Sequence, residues 1–416
     1  MSRTVRFVHA ADLHLGAPFK GVDAADARVR EALVASTHEA LDRIVGLCLS
    51  EQADFLVLAG DVYNAAEKSV HDQAAFRSAM RRLAEAGVRA YVAHGNHDPA
   101  DGWSAGLQLP DTVHVFSGAE VERVEHVRDG ETVAVLYGRS FPTRKVTDRW
   151  VRDYERRADD PLAIGVLHTN VGGRAGYDDY APASADELGG AGMDYWALGH
   201  IHMPGRVLDD PLAVYAGCPQ GLQPNEDGPR GCYVVEAGAH GVEERFVETA
   251  SVRWARSAVD VADVGGIDEL MSALGDVCDA ARAEAAGRPA ILRLDVSGRS
   301  AVHAELARPG VLDGVLKTMR EEQLDRDPWI WVDDLRDRTR RELEADASRT
   351  RDGFDGELVR LADGKRGAPA EAELERVLGA VTARLAARPD LDLDADAVLE
   401  RARDLALDLL LPEADR

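Results

Sequence analysis

The chain has 416 residues, enough for two to three domains and for burial of most of its surface, which excludes a disordered tail protein. Its residues are 45% hydrophobic, yet no apolar run approaches the roughly 20 residues of a membrane span, so a soluble, cytoplasmic protein without a membrane partner is expected. The net charge of -25, from 49 basic and 74 acidic residues, argues against a polyanionic ligand unless cations are gathered locally.

From residue 1 to about 250, β-rich apolar runs alternate with helix-period stretches. Strands are predicted at 5–10, 55–59, 90–93, 132–137, 163–167, 195–198, 214–216 and 232–235. Leu41, Ile44, Val45 and Cys48 recur at helical spacing after the first run, and Phe76, Met80, Leu83 and Ala84 after the second. The pattern predicts a layered α/β domain. An antiparallel region around 214–247 fits poorly with a purely parallel doubly wound sheet. Residues 251–349 read as a small α+β module, with strands at 259–261 and 291–296 around a helix carrying Ile267, Leu270, Met271, Leu274, Val277, Cys278 and Ala281. Residues 350–416 read as a helical region. After a linker at 364–369 come two apolar stripes, one from Leu374 to Leu385 and one from Val398 to Leu410. Such stripes serve helix packing or partner docking about equally well. The start, Met1 to Phe7, lacks the apolar segment of a secretory signal. Cys48, Cys218, Cys232 and Cys278 have no CxxC spacing and read as small core residues.

Five short motifs follow predicted strands in order: Asp12-Leu13-His14, Gly60-Asp61, Gly95-Asn96-His97-Asp98, His168, and Gly199-His200-Ile201-His202. Carboxylate, amide oxygen and imidazole, without thiolate, are donors for manganese, iron or zinc. There are more donors than one tetrahedral ion needs, which points to two ions sharing a carboxylate. On extended backbone, Asp-x-His and His-x-His place both side chains on one face. Glycines before Asp61, Asn96 and His200 allow sharp turns or close approach. Two such ions activate water and clamp a phosphate for in-line displacement, so phosphoester hydrolysis is the chemistry implied.

These motifs resemble the five-part signature of the calcineurin-like metallophosphoesterases. That resemblance implies a four-layer α/β/β/α sandwich. Asp12, His14, Asp61 and His202 would hold one metal, Asp61, Asn96, His168 and His200 the other, with Asp61 bridging. His97 would sit over the phosphate and protonate the leaving oxygen, with Asp98 as its orienting partner. Within the superfamily, the run 7–16, Ala59-Gly60-Asp61-Val62-Tyr63, His94 to Pro99, 193–202, 215–221 and 228–232 are similar to the SbcD-type DNA repair nucleases, in particular the YhaO-like branch. The implied activity is manganese-dependent 3'-5' exonucleolytic digestion of duplex ends, with single-strand endonuclease action as an extension. The implied partners are DNA and an SbcC-like coiled-coil ATPase, and a homodimer is compatible. In this branch the cap module 251–349 would help select DNA. Asn64 departs from the His or Asp that family nucleases often carry there to align substrate, so nuclease vigour or polarity could differ. A small-substrate phosphatase or cyclic-nucleotide phosphodiesterase is the first alternative, and a weakly catalytic protein that binds DNA ends beside an ATPase is the second.

His9 and His94 lie within or at the ends of strands and read as core residues or supports behind the ligands; His38, His71, His114, His126, His240 and His303 read as surface or packing residues. Residues 139–157 hold seven basic side chains, including Arg144, Lys145 and Arg149, against three acidic ones, the most basic stretch of the nuclease region. They are candidate DNA contacts, set against a solvated face balanced by neighbouring acids. The overall acidity predicts weak DNA binding without metal or partner, lost steeply with salt.

Overall fold

The computed structural model describes residues 4–22, 25–64, 69–102, 105–238, 241–341, 353–367, 372 and 395–410. By packing, the chain divides into two compact units. One comprises Met1–Ser257, Gly275–Leu294 and Leu316–Leu335, and the other Ala258–Leu274, Asp295–Val315 and Arg336–Arg416.

The first unit is built on two mixed six-stranded sheets. One contains β1 (Val5–Ala10), β2 (Phe55–Ala59), β3 (Arg89–Ala93), β4 (Val113–Val115), β11 (Gly231–Gly238) and β12 (Gly241–Glu248), in the order β12-β11-β1-β2-β3-β4. The other contains β5 (Glu122–Arg128), β6 (Glu131–Gly138), β7 (Ala163–His168), β8 (Tyr195–Gly199), β9 (Gly205–Asp209) and β10 (Leu212–Tyr215), in the order β5-β6-β7-β8-β10-β9. β1 to β4 run parallel, as do β6, β7, β8 and β10. β11 is antiparallel to β1 and to β12, and β9 to β10, which accounts for the antiparallel region read near 214–247.

Alternation along the strands makes four layers. Phe7, Phe55, Tyr91, Ile164, Tyr195 and Val214 form the core between the sheets. The intervening residues Val8, Leu56 and Val92 face outward, where α1 (Ala27–Ser50) and α2 (Val70–Glu85) cover them with Ile44, Phe76 and Met80. On the far side, Val135, Trp196 and Tyr215 pack against Trp150 of a 3-10 turn (Trp150–Asp153) and Leu188 of α3 (Ala185–Gly190). Because both faces of each sheet are covered, the central strands are apolar throughout rather than alternating. The α/β/β/α arrangement is the one the motifs implied.

Beyond β12, a three-stranded sheet has the order β13 (Arg253–Asp260), β14 (Ala290–Arg299), β15 (Ile330–Arg340). Helices α4 (Ile267–Glu284), α5 (Val302–Leu306) and α6 (Val311–Leu324) lie between its strands in sequence. The second unit contains α7 (Phe354–Asp363) and α8 (Ala395–Leu410), which pack on each other. The apolar stripe from Leu374 to Leu385 lies outside the described residues. Within α8, Leu407 is buried and Leu405, a member of the other stripe, is exposed. The four cysteines are free and buried, as their spacing suggested. Among the described residues, no helix is long and apolar enough to cross a membrane.

Phe55 is fully buried between the sheets and stacks on Phe7 at a centroid distance of 5.0 Å. Phe55→Ala should therefore cost about 3–5 kcal/mol of stability, read from the urea midpoint at constant slope; a loss below about 1 kcal/mol would contradict a close-packed intersheet core.

Candidate metal centre

Parallel pairing of β1 with β2, with Ala10 opposite Leu58, brings their following loops together. The loops stay zipped: Asp12 N–H donates to Gly60 O, His14 N–H to Asp61 O and Leu15 N–H to Val62 O, each at 3.0 Å. Here the structure corrects the reason given for Asp-x-His. These residues are not extended; Asp12 (φ 51°), His14 (φ 46°), Asp61 (φ 53°) and His200 (φ 95°) occupy the left-handed region. Such conformations cost non-glycine residues about 1–3 kcal/mol each and persist where surrounding structure enforces them. Left-handed turns, rather than the strand pleat, bring these side chains together. Close approach explains two glycines. A Cβ on Gly60 would lie 2.2 Å from His168 Nδ1, and one on Gly95 2.3 Å from Asp61 Oδ1.

All seven candidate ligands converge. Donor atoms of Asp12, His14 and His202 lie within 4.8 Å of one another, as do those of Asp12, Asp61 and His168 and those of His14, Asp61 and His97. Asn96 Oδ1 is 3.0 Å from His168 Nε2, and the His200 ring is 5.1 Å from the His168 ring. Asp12 also accepts from the His200 backbone N–H at 3.1 Å.

For His168, His200 and His202, the outer hydrogen bonds decide which ring nitrogen each offers. His168 Nδ1 donates to Ala59 O at 2.9 Å, leaving Nε2 toward Asp61 and Asn96. His200 Nε2 donates to Asp178 O at 2.8 Å, leaving Nδ1 as the donor. His202 Nδ1 donates to Glu226 Oε1 at 2.7 Å, leaving Nε2, which lies 3.0 Å from His14 Nε2. Two ring nitrogens this close share either one proton or one cation. The adjacent buried carboxylates of Asp12 and Asp61 supply the negative charge that a divalent ion neutralises, so the donor set fits metal.

Burial pushes the Asp12 carboxyl up to about 6. Burial also opposes ionisation of Asp61, but the nearby His168, His14 and His97 hold it well below the usual carboxylate range. Burial depresses His14 to about 3 and His200 to about 4. His168 is raised to about 9 because Asp61 outweighs its burial. His97 is held below its ordinary value by burial and, against the pull of Asp61, by His168, His202 and Arg144.

Two expected details differ. Asp98 does not orient His97. Its Oδ1 accepts from Gly95 N–H at 2.7 Å, and its Oδ2 accepts from Val62 N–H at 2.9 Å and lies 3.1 Å from His94 Nδ1. Asp98 thus ties the two ligand loops together, and Asn64 Oδ1 takes its expected place, 3.2 Å from His97 Nδ1. The basic stretch is largely neutralised. Arg149 and Arg152 pair with Glu187 of α3, Arg156 with Asp194, and Arg139 with Asp153 while stacking over Trp150. Arg144 and Lys145 are exposed, and Arg144 is near enough to act on His97. His9 is fully buried with Nδ1 2.8 Å from Tyr195 Oη, outside the ligand set.

Glu226 was not legible in the sequence. It lies among turn residues between Pro224 and Pro229, and only the fold brings it to His202, where it also accepts from Leu222 N–H at 2.7 Å. Beside it, the buried Arg230 donates to His202 O at 2.6 Å and to Asp227 O at 2.8 Å. Nothing in the run 228–232 that contains Arg230 marks this contact.

A four-layer sandwich that gathers buried carboxylates, an amide and imidazoles at adjoining strand ends defines a metal-dependent hydrolase of phosphoester bonds. The calcineurin-like phosphoesterase family profile matches residues 5–204, and that of the metallophosphoesterase YhaO middle domain matches 254–340. The chain belongs to the calcineurin-like metallophosphoesterases, with YhaO among its relatives. The metallophosphoesterase YhaO of Bacillus subtilis (strain 168) is 33% identical over 348 residues, covering 82% of this chain and 84% of that one. The DNA double-strand break repair protein Mre11 of Aeropyrum pernix is 27% identical, covering 63% of this chain and 65% of that protein. The SbcD component of the SbcCD nuclease of Bacillus subtilis is 26% identical, covering 54% of this chain and 64% of that protein.

Glu226→Ala should weaken divalent-metal binding about 10–100-fold in competition with a chromophoric chelator, and Glu226→Gln, which keeps an acceptor for His202, should lose less. Equal affinity in all three proteins would remove Glu226 from the support of the site.

Proposed function

We propose that the chain is a DNA nuclease that hydrolyses phosphodiesters with two manganese ions, acting as a 3'-5' exonuclease on duplex ends and secondarily on single strands. The observation that carries this reading is the His97 imidazole, held at Nδ1 by Asn64 yet half-buried beside His14 and Asp61 of the seven candidate ligands. Similarity to Mre11 and to the SbcD component of SbcCD supports DNA as the substrate. Asp12, His14, Asp61 and His202 would hold one ion, and Asp61, Asn96, His168 and His200 the other. When bound, the ions would supply Lewis acidity and an activated water for attack on phosphorus.

The chain's own residues supply the rest. His97 donates the proton that the departing sugar oxygen takes up as its bond to phosphorus breaks, and Asn64 holds the other ring nitrogen. Burial and neighbouring cations depress its pKa in the free protein; a bound phosphate opposes them, so the imidazolium is favoured when substrate is present. Arg144 and Lys145 contact the DNA backbone. In this reading, residues 1–250 carry the chemistry, 251–349 cap the substrate, and 350–416 dock an SbcC-like ATPase in the cytoplasm.

Purified protein with manganese should degrade end-labelled linear duplex faster than p-nitrophenyl esters. Turnover of the small ester alone would make the chain a phosphatase, and DNA binding without cleavage would make it an end-binding protein. His97→Ala should keep both ions by mass-spectrometric metal analysis while losing turnover by about 10²–10⁴-fold; loss of metal in that variant would refute the proton-donor role. Arg144→Ala should weaken DNA binding and lower the salt slope by about one, and an unchanged slope would place the phosphate elsewhere.

A further inference from the structure

Outside the seven ligands, another group of metal-binding side chains meets on the helical face of the first unit. His38 projects from α1, while His71 and Asp72 belong to the first turn of α2, and their donor atoms lie within 4.8 Å of one another. In sequence both histidines read as ordinary surface or packing residues. Asp72 is buried, whereas His71 is exposed.

The local contacts are not those of a simple ion pair. His38 Nε2 approaches Asp72 Oδ1 to 2.8 Å, yet this buried nitrogen has no aligned hydrogen-bond partner. The His71 ring stands edge-on to the His38 ring, with centroids 5.3 Å apart. Two imidazoles are therefore gathered around one buried carboxylate. The group lines a groove of about 1050 Å³ whose walls include Phe19, Val22, Leu33 and Val34. From this geometry we propose that His38, His71 and Asp72 form a third divalent-metal site, separate from the seven-ligand centre, suited to zinc.

The chemistry agrees with that choice. Three nitrogen and oxygen ligands leave one position of a tetrahedral zinc ion for water, and the groove gives that position access to solvent. The site also has a structural connection to the other centre. The second carboxylate oxygen of Asp72 occupies the space beside Gly16, only 2.0 Å from where a Cβ would stand, and Gly16 (φ 77°) follows the His14 turn. An ion bound here ties α1, α2 and the turn that carries His14 together, so it acts as a clamp on the segment delivering that histidine.

The test is zinc stoichiometry in chelator-stripped, full-length protein, measured by mass-spectrometric metal analysis after equilibrium dialysis. The double variant His38→Ala/His71→Ala should bind one zinc ion fewer than its parent. The same difference should appear in an Asp61→Ala background, where the seven-ligand centre is disabled independently. Equal counts in parent and double variant, in both backgrounds, would overturn the third site; retention of zinc by Asp61→Ala beyond one ion would instead count against the bridging role of Asp61. Because His71 is exposed, the single variant His71→Asn guards against misfolding: with an unchanged circular dichroism spectrum, it should weaken the third zinc at least tenfold, and unchanged affinity would also overturn the proposal.

Discussion

Two carboxylates, Asp12 and Asp61, are buried side by side at the ends of neighbouring parallel strands, and the remainder of the centre is arranged around that electrostatic problem. Removing an ionised carboxylate from water is costly, and removing two together adds their repulsion. Their opposite responses express this conflict, Asp12 being pushed up to about 6 while Asp61 is held low. A divalent cation resolves it more completely than the surrounding imidazoles. The parallel register of β1 and β2, the hydrogen bonds that zip the loops beyond them, and the left-handed backbone at Asp12, His14 and Asp61 all serve to keep the charges close.

Given that negative centre, the imidazoles must present lone pairs rather than protons. Three of them are fixed from behind by different devices: a strand carbonyl for His168, a loop carbonyl for His200 and a carboxylate for His202. The last differs in kind. Glu226 is held low, to about 2, because His202 overcomes its burial, so the pair brings a charge that a carbonyl would not. A carboxylate behind a histidine makes the opposite nitrogen a stronger donor. The arrangement therefore gives His202 a different basicity from its neighbours, which lets one candidate ion site differ in affinity from the other.

The legible part of the sequence was the part governed by short-range pattern. Central strands buried on both faces are continuous apolar runs, and every ligand motif follows or ends one of them, so strands and candidate ligands could be read together. The five strands that escaped, β4, β5, β9, β12 and β15, all lie at sheet edges. Edges are partly solvated, and their polar sequences, such as Glu-Arg-Val-Glu-His-Val-Arg in β5, carry little apolar signal. The support of the centre escaped for another reason. Asn64 at His97 and Glu226 at His202 meet across 33 and 24 residues, at positions no local periodicity marks. Asp98 misleads by adjacency: following His97 in sequence, it turns back to tie the loops of β2 and β3.

The same distinction changes what the charge of -25 means. In sequence, the stretch 139–157 has a net positive balance; in space, Glu187 and Asp194, outside that window, absorb several of its arginines. Salt dependence of nucleic-acid binding counts the counterions released, about 0.9 per phosphate neutralised on duplex DNA. A cation already paired with a carboxylate releases few. For the proposed DNA substrate, this makes the dependence shallower than the composition suggested, because few protein cations near the centre remain to replace counterions. In that reading much of the attraction would come from the ions that Asp12 and Asp61 would hold. An acidic surface and the proposed phosphodiesterase site are compatible on these terms: the acids hold the arginines in structural pairs, and affinity for the polyanion would rest on the metal centre.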